Sequence, residues 1–214
     1  EAITWTKAGG LTGLGDLSGG EYASRAYGIS SDGSTVVGFG SVDDRGYEAF
    51  IWTANDGMKS IGTLGGTRSY AYDASADGSI VVGYSWNEDG DNEAFLYSRE
   101  SGAMTGLGAL DDEYFNSNAQ AVSADGSTVV GYSSINNNGT EAFIWTQEGG
   151  MIGLGDLSGG SHVSRAFDVS ADGSVVVGHA SVTGHEEAFI WNETDGMIGL
   201  GSLDGYTAGS RALA

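Results

Sequence analysis

The chain has no cysteine, no proline, few basic residues and no long apolar run. Without cysteine there is no disulfide framework, no thiolate metal site and no cysteine nucleophile, and the redox compartment is left open. Without proline the turns fall to 38 glycines. Eight Lys and Arg stand against 29 Asp and Glu, a formal net charge of −21, which opposes binding to nucleic acid or anionic lipid by general attraction. No apolar run approaches the roughly 18 residues of a membrane-crossing helix, and no i, i+3, i+4 stripe is long enough to make any helix. Glu1 is not a methionine, follows no basic-then-apolar leader and falls in mid-repeat, as expected of a processed product or an excised segment.

What the chain does have is a repeat. A Glu-Ala pair recurs at Glu1, Glu48, Glu93, Glu141 and Glu187, a period of about 45 residues. Each unit reads as four short strands. The first is EAFIWT (48–53) and its relatives, followed by a weaker glycine-bearing strand such as MIGLGDL (151–157). Then come SRAFDVS (164–170) and the β-branched VVVGHAS (175–181) with their counterparts. Asp32-Gly33, Asp77-Gly78, Asp125-Gly126 and Asp172-Gly173 join the last two strands as hairpin turns. The fifth unit ends at Ala214, before its own Asp-Gly turn.

A lone four-stranded sheet has no partner for either face, so the units must stack. The predicted fold is an all-β propeller of four-stranded antiparallel blades, a single repeat domain over 1–214. Five blades are expected, one of them a composite of strands from the two termini, which favours a monomer. The alternative is an open blade edge that recruits a second copy. The aromatics Trp5, Trp52, Tyr97, Trp145 and Trp191 are expected between adjacent blades, and Trp86, in a variable loop, at least partly exposed. The recurrent Glu is expected to accept hydrogen bonds from a neighbouring unit's backbone or to pair with Arg25, Arg165 or Arg211.

EAFIWT, GGMIGLGDLSGG and SRAFDVSADGSVVVG together resemble the HAF-type extracellular repeat of bacterial surface and secreted proteins. The likeness covers essentially the whole chain and departs where Glu-Ala-Phe replaces His-Ala-Phe. It implies an extracellular or cell-surface location, in some cases within an autotransporter, and carries over no activity and no catalytic residue.

Function therefore has to come from the surface. The Asp-Gly end is monotonous, whereas the opposite loops vary from unit to unit, and rigid scaffolds present recognition through such loops. Tyr22, Tyr47, Trp86, Tyr114, Phe115 and Tyr206 sit there among acidic residues. Aromatic plates beside carboxylates suit glycans and protein partners; acidic loops also serve solubility alone. No cofactor is implied, with calcium held by Glu88, Asp89 and Asp91 as the alternative.

Enzyme readings fare worse. His162, His179 and His185 all lie in the last full unit, and no serine can be tied to them. His179 fills the slot of Phe39, Tyr84 and Tyr132 and reads as a packing residue. His185 lacks the three or four ligands of a zinc site, and nothing selects a carboxylate pair for glycoside hydrolysis. The expectation is a non-enzymatic binding or scaffold module, with a self-assembling structural component as the alternative.

Overall fold

The computed structural model describes residues 1–20, 23–42, 46–136, 139–202 and 209–213. They form two compact units, Glu1–Gly106 and Leu107–Ala214. In unit 1, β1 (Ile3–Thr6) and β2 (Gly10–Gly13) make a two-stranded sheet. A first blade follows from β3 (Ser24–Ile29), β4 (Thr35–Val42), β5 (Gly46–Thr53) and β6 (Gly57–Ser60). The second blade is β7 (Gly65–Ala74), β8 (Ile80–Asn87), β9 (Asn92–Ser98) and β10 (Ala103–Gly106). Unit 2 holds a third blade, β11 (Ser117–Val122), β12 (Thr128–Ile135), β13 (Gly139–Thr146) and β14 (Gly150–Gly153). Its fourth is β15 (Ser164–Val169), β16 (Val175–Val182), β17 (His185–Asn192) and β18 (Gly196–Gly199). Every blade is an antiparallel meander in chain order. Among the described residues no helix is long and apolar enough to cross a membrane.

The Asp-Gly turns are built identically. In the first blade the Ser30 hydroxyl (2.6 Å) and the Ser34 backbone N–H (2.9 Å) both donate to Asp32 Oδ1. The Thr35 N–H in turn donates to Ser30 Oγ at 3.0 Å. Asp77, Asp125 and Asp172 repeat the pattern. These donors favour the ionised carboxylate, and serine donors hold Asp77 and Asp172 down to about 2. The four carboxylates are engaged by their own turns, which is why the sequence repeats them.

The core aromatic is not the one expected. Phe50, Phe95, Phe143 and Phe189 are fully buried, whereas Trp52, Tyr97, Trp145 and Trp191 are only half-buried and Trp5 is 67% exposed. Trp86 is half-buried as well, so exposure does not separate it from Trp52. Register supplies the reason. The phenylalanine sits midway along its strand, while Trp52, Trp145 and Trp191 pair with Met58, Met151 and Met197 near the turn, at the rim of the sheet. Phe50 packs on Ala2, Leu14 and Leu17, Phe95 joins Val37, Ala71 and Val81, and Phe189 joins Val130, Leu154 and Val176. Trp5 belongs to the two-stranded sheet, which among the described residues has no strands in the positions that β3 and β4 occupy in the first blade.

Adjacent sheets are tied by a three-residue clasp. Ser69, fully buried, accepts from the Ala49 N–H (2.8 Å) and donates to the Gly62 carbonyl (2.6 Å). Ser24 does the same with Ala2 and Gly15, and Ser164 with Ala142 and Gly155. The N–H of that glycine is held by the Glu that heads the unit: Gly15 by Glu1, Gly155 by Glu141, Gly201 by Glu187. Glu1, Glu141 and Glu187 thus serve their own unit's backbone, where a neighbouring unit's backbone or an arginine was expected. Gly13, Gly153 and Gly199 leave the carboxylate its path, since a Cβ there would overlap it. In the first blade Ser60 stands in that position, and its hydroxyl relays the bond from Gly62 to Glu48. The last clasp closes on the carboxy-terminal segment, where Ser210 accepts from the Ala188 N–H and donates to Gly201. Residues 209–213 therefore dock on the fourth blade as the first strand of a following blade would, without themselves being a strand.

Candidate ligand-binding site

The site grows from an irregularity. The first strand of each blade carries a β-bulge at the residue after its Ser-x-Ala motif: between Ala26 and Gly28, Ala71 and Asp73, Ala119 and Ala121, and Ala166 and Asp168. The bulge presses a backbone carbonyl under the facing strand, so Gly38, Gly83, Gly131 and Gly178 have no room for a Cβ against Arg25, Tyr70, Asn118 and Arg165. A bulge re-aims a side chain, and in unit 1 the bulged residues are Tyr27 and Tyr72, whose rings meet edge-on at 5.3 Å.

Around that pair lies a continuous array of rings. Phe39, paired across the strands with Arg25, stands 5.6 Å from Tyr27, 5.1 Å from Tyr47 and 4.8 Å from Tyr70. Tyr70 stacks on its cross-strand partner Tyr84 at 4.9 Å. Phe39 is buried and Tyr47, Tyr70, Tyr72 and Tyr84 are half-buried, whereas Tyr27 is 52% exposed. The array borders an open cavity of about 380 Å³, lined by Glu1, Arg25, Phe39, Tyr47 and Tyr70 among others. Burial pushes the Tyr70 phenol above its ordinary value, against the opposing pull of the neighbouring Arg68 guanidinium. Two arginines flank the rings, Arg25 with its guanidinium 5.9 Å from the Phe39 centroid and Arg68 5.1 Å from that of Trp86.

Of the residues singled out from the sequence, the structure gathers Tyr47 directly into this array and places Trp86 at its edge under Arg68. Tyr114 and Phe115 are half-buried in unit 2, on a loop where Asp111 accepts from the Glu113, Tyr114 and Asn136 N–H groups. Tyr22 and Tyr206 lie outside the described residues. Sequence reasoning missed Tyr27, Tyr70 and Tyr72 because they sit inside strands and not in variable loops. The mid-strand glycine of each Val-Val-Gly run, a bulge signal, was the available clue.

In the candidate calcium loop, Asn87 Oδ1 accepts from the Asp89 (3.1 Å) and Asp91 (3.0 Å) N–H groups. Glu88 packs along Gly65. Among the described residues no three His, Asp or Glu side chains converge as a metal site.

The fourth blade fills the equivalent slots differently, with Arg165, His179 and Glu186 where the first has Arg25, Phe39 and Tyr47. His179 is only 4% exposed and stacks on Phe167 at 5.1 Å, a packing position as expected. Its Nε2 lies 3.7 Å from Glu186, which Arg211 also holds, while Arg165 lies over Tyr132. Burial pushes the imidazole below its ordinary value, with Arg211 and Arg165 adding to the effect and Glu186 opposing it.

No protein-family model and no curated protein sequence matches the chain. Solved structures do match its fold. A TolB-type protein of Agrobacterium tumefaciens aligns with a TM-score of 0.63 at 16% identity, over 95% of this chain and 80% of that one. TolB from Acinetobacter baumannii aligns at 0.58 and 16% identity, over 87% of this chain and 44% of its own length. A puromycin hydrolase aligns at 0.57 and 17% identity, over 94% and 32%. The chain thus spans less than half of the Acinetobacter protein and about a third of the hydrolase. At such identities the likeness is one of fold, and the fold is the all-β propeller of four-stranded antiparallel blades.

Proposed function

We propose that the protein is a non-enzymatic binding module of an extracellular or cell-surface bacterial protein of the HAF-repeat kind, and that the aromatic cavity of unit 1 is its glycan-binding site. The observation that carries this reading is the ring array itself. Six aromatic side chains cluster on two blades, beside an open cavity, at positions that unit 2 fills with Gln120, Tyr132, Thr140, Arg165, Phe167 and His179, of which only Tyr132 and Phe167 are Phe or Tyr. A core needs no cluster of half-buried rings bordering an open cavity, and stacked planes suit the C–H faces of sugar rings. Two arginines at its margin make a basic protein patch a poor occupant. A glycan array probed with the labelled protein tests the reading. Binding to a defined set of saccharides, lost on Tyr47→Ala or Tyr70→Ala with the melting temperature retained, supports it. A blank array, or binding indifferent to both substitutions, refutes it.

A second reading, a self-assembling surface component, draws on the exposed Ile3, Trp5 and Leu11 of the β1–β2 sheet. Light scattering across a concentration range separates the two, since the binding module stays monomeric.

A further inference from the structure

The glycan-site reading leaves the chemistry of the sugar open. Resting on that reading, we propose that the saccharide recognised in unit 1 is acidic, a hexuronate-bearing glycan whose carboxylate is taken by Arg25 and Arg68 while its rings lie on the tyrosines.

Charge is the first ground. In a chain of 29 acidic and eight basic residues, an exposed arginine has abundant carboxylates to choose from. Lys59 pairs with Asp56, and Arg211 with Glu186. Arg25 and Arg68 are exposed and, like the exposed Lys7 and Arg99, have no carboxylate partner among the described residues, but they alone of these four lie over aromatic rings. The carboxylate that lines the cavity, Glu1, is engaged by the Gly15 N–H at 2.9 Å. A guanidinium resting on a ring keeps its plane fixed while the N–H fork at its edge remains able to grip a planar carboxylate in two parallel hydrogen bonds.

Two kinds of group also meet in one place. A neutral sugar would use the rings and leave the arginines idle. A simple anion would use the arginines and leave Tyr27, Tyr47 and Tyr70 idle. A uronate unit presents a C–H face and a carboxylate on the same ring, and so engages both. The negative potential of the rest of the surface then acts as a filter, repelling polyanions that cannot reach the two arginines.

Isothermal titration with oligogalacturonate, oligoglucuronate and alginate oligomers, each beside its carboxyl-reduced counterpart, and with hexaglutamate as an acidic peptide, tests the inference. At least one uronate oligomer is expected to bind at least tenfold more tightly than its reduced form, with an affinity that falls as salt rises. Arg25→Gln combined with Arg68→Gln should remove that preference and leave the weaker binding of the reduced form in place. Tyr70→Ala should weaken both forms. Equal affinity for an oligomer and its reduced form would overturn the acidic-sugar inference and leave the glycan site standing. Tight hexaglutamate binding without uronate binding would overturn both, in favour of an acidic peptide. Binding of no saccharide would overturn the glycan-site reading itself.

Discussion

Replacing Ser164 by alanine removes one hydroxyl from the clasp between the third and fourth blades and almost no volume. That hydroxyl is fully buried, accepts from the Ala142 N–H at 3.0 Å and donates to the Gly155 carbonyl at 2.6 Å. Its loss strands one donor and one acceptor. A buried polar group left unpaired costs about 1–3 kcal/mol. The Gly155 carbonyl is only partly buried and regains some water, so the sum falls to about 2–4 kcal/mol. The same change at Ser210, whose bond to the Gly201 carbonyl is exposed and whose bond from the Ala188 N–H is part-buried, is expected to cost less than the change at Ser164, because water replaces the hydroxyl at the exposed carbonyl. Urea unfolding followed by tryptophan fluorescence, to which Trp145 and Trp191 of unit 2 contribute, reads the two variants against the wild type. A loss at Ser164 below about 0.5 kcal/mol, or equal losses at Ser164 and Ser210, would refute the claim that buried clasps hold the blades together.

Phe95→Ala should destabilise by about 3–5 kcal/mol, as a fully buried ring does, and Trp52→Ala by clearly less, both measured by chemical denaturation. Acid should loosen the Asp-Gly turns: Asp77 and Asp172 sit near 2 in the folded protein against an ordinary 3.8. Their contribution is therefore complete above the ordinary value and is lost as pH falls toward 2; the Asp77→Asn variant should show a shallower melting-temperature decline across that range. His179 is displaced downward by burial, so the unfolded chain binds its proton first and stability drops as pH falls through the ordinary histidine range near 6.5. His179→Phe, the residue of the first blade at this slot, should flatten that part of the profile. Melts with calcium, matched magnesium and chelator test Glu88, Asp89 and Asp91: a calcium-specific rise identifies a site, and identical curves reduce the loop to a turn capped by Asn87.

The strand order, the four-stranded blade and the Asp-Gly hairpins were legible because each rests on a local signal repeated four times. β-Branched runs mark β4, β8, β12 and β16, and the turn residues fix the hairpins. The choice between Phe and Trp as core aromatic was not legible. Both lie on the same face of one strand two residues apart, and only the register against β6, β14 and β18 shows which sits mid-sheet. The recurrent Glu was misassigned for a similar reason: its partner, the glycine fourteen residues on in Glu1, Glu141 and Glu187, becomes close only when the outer hairpin forms. The site was half visible. Tyr47 and Trp86 stood out in variable segments, whereas Tyr27, Tyr70 and Tyr72 are brought together by bulges that pairing alone reveals.

The central claim, that ligand binding resides in the aromatic array of unit 1, is tested most directly by comparing Tyr70→Ala with Tyr114→Ala for affinity toward one saccharide found on the array. Tyr70→Ala is expected to weaken binding at least tenfold, about 1.4 kcal/mol, with Tyr114→Ala matching the wild type. Full affinity in Tyr70→Ala with loss in Tyr114→Ala would move the site to unit 2 and contradict the account.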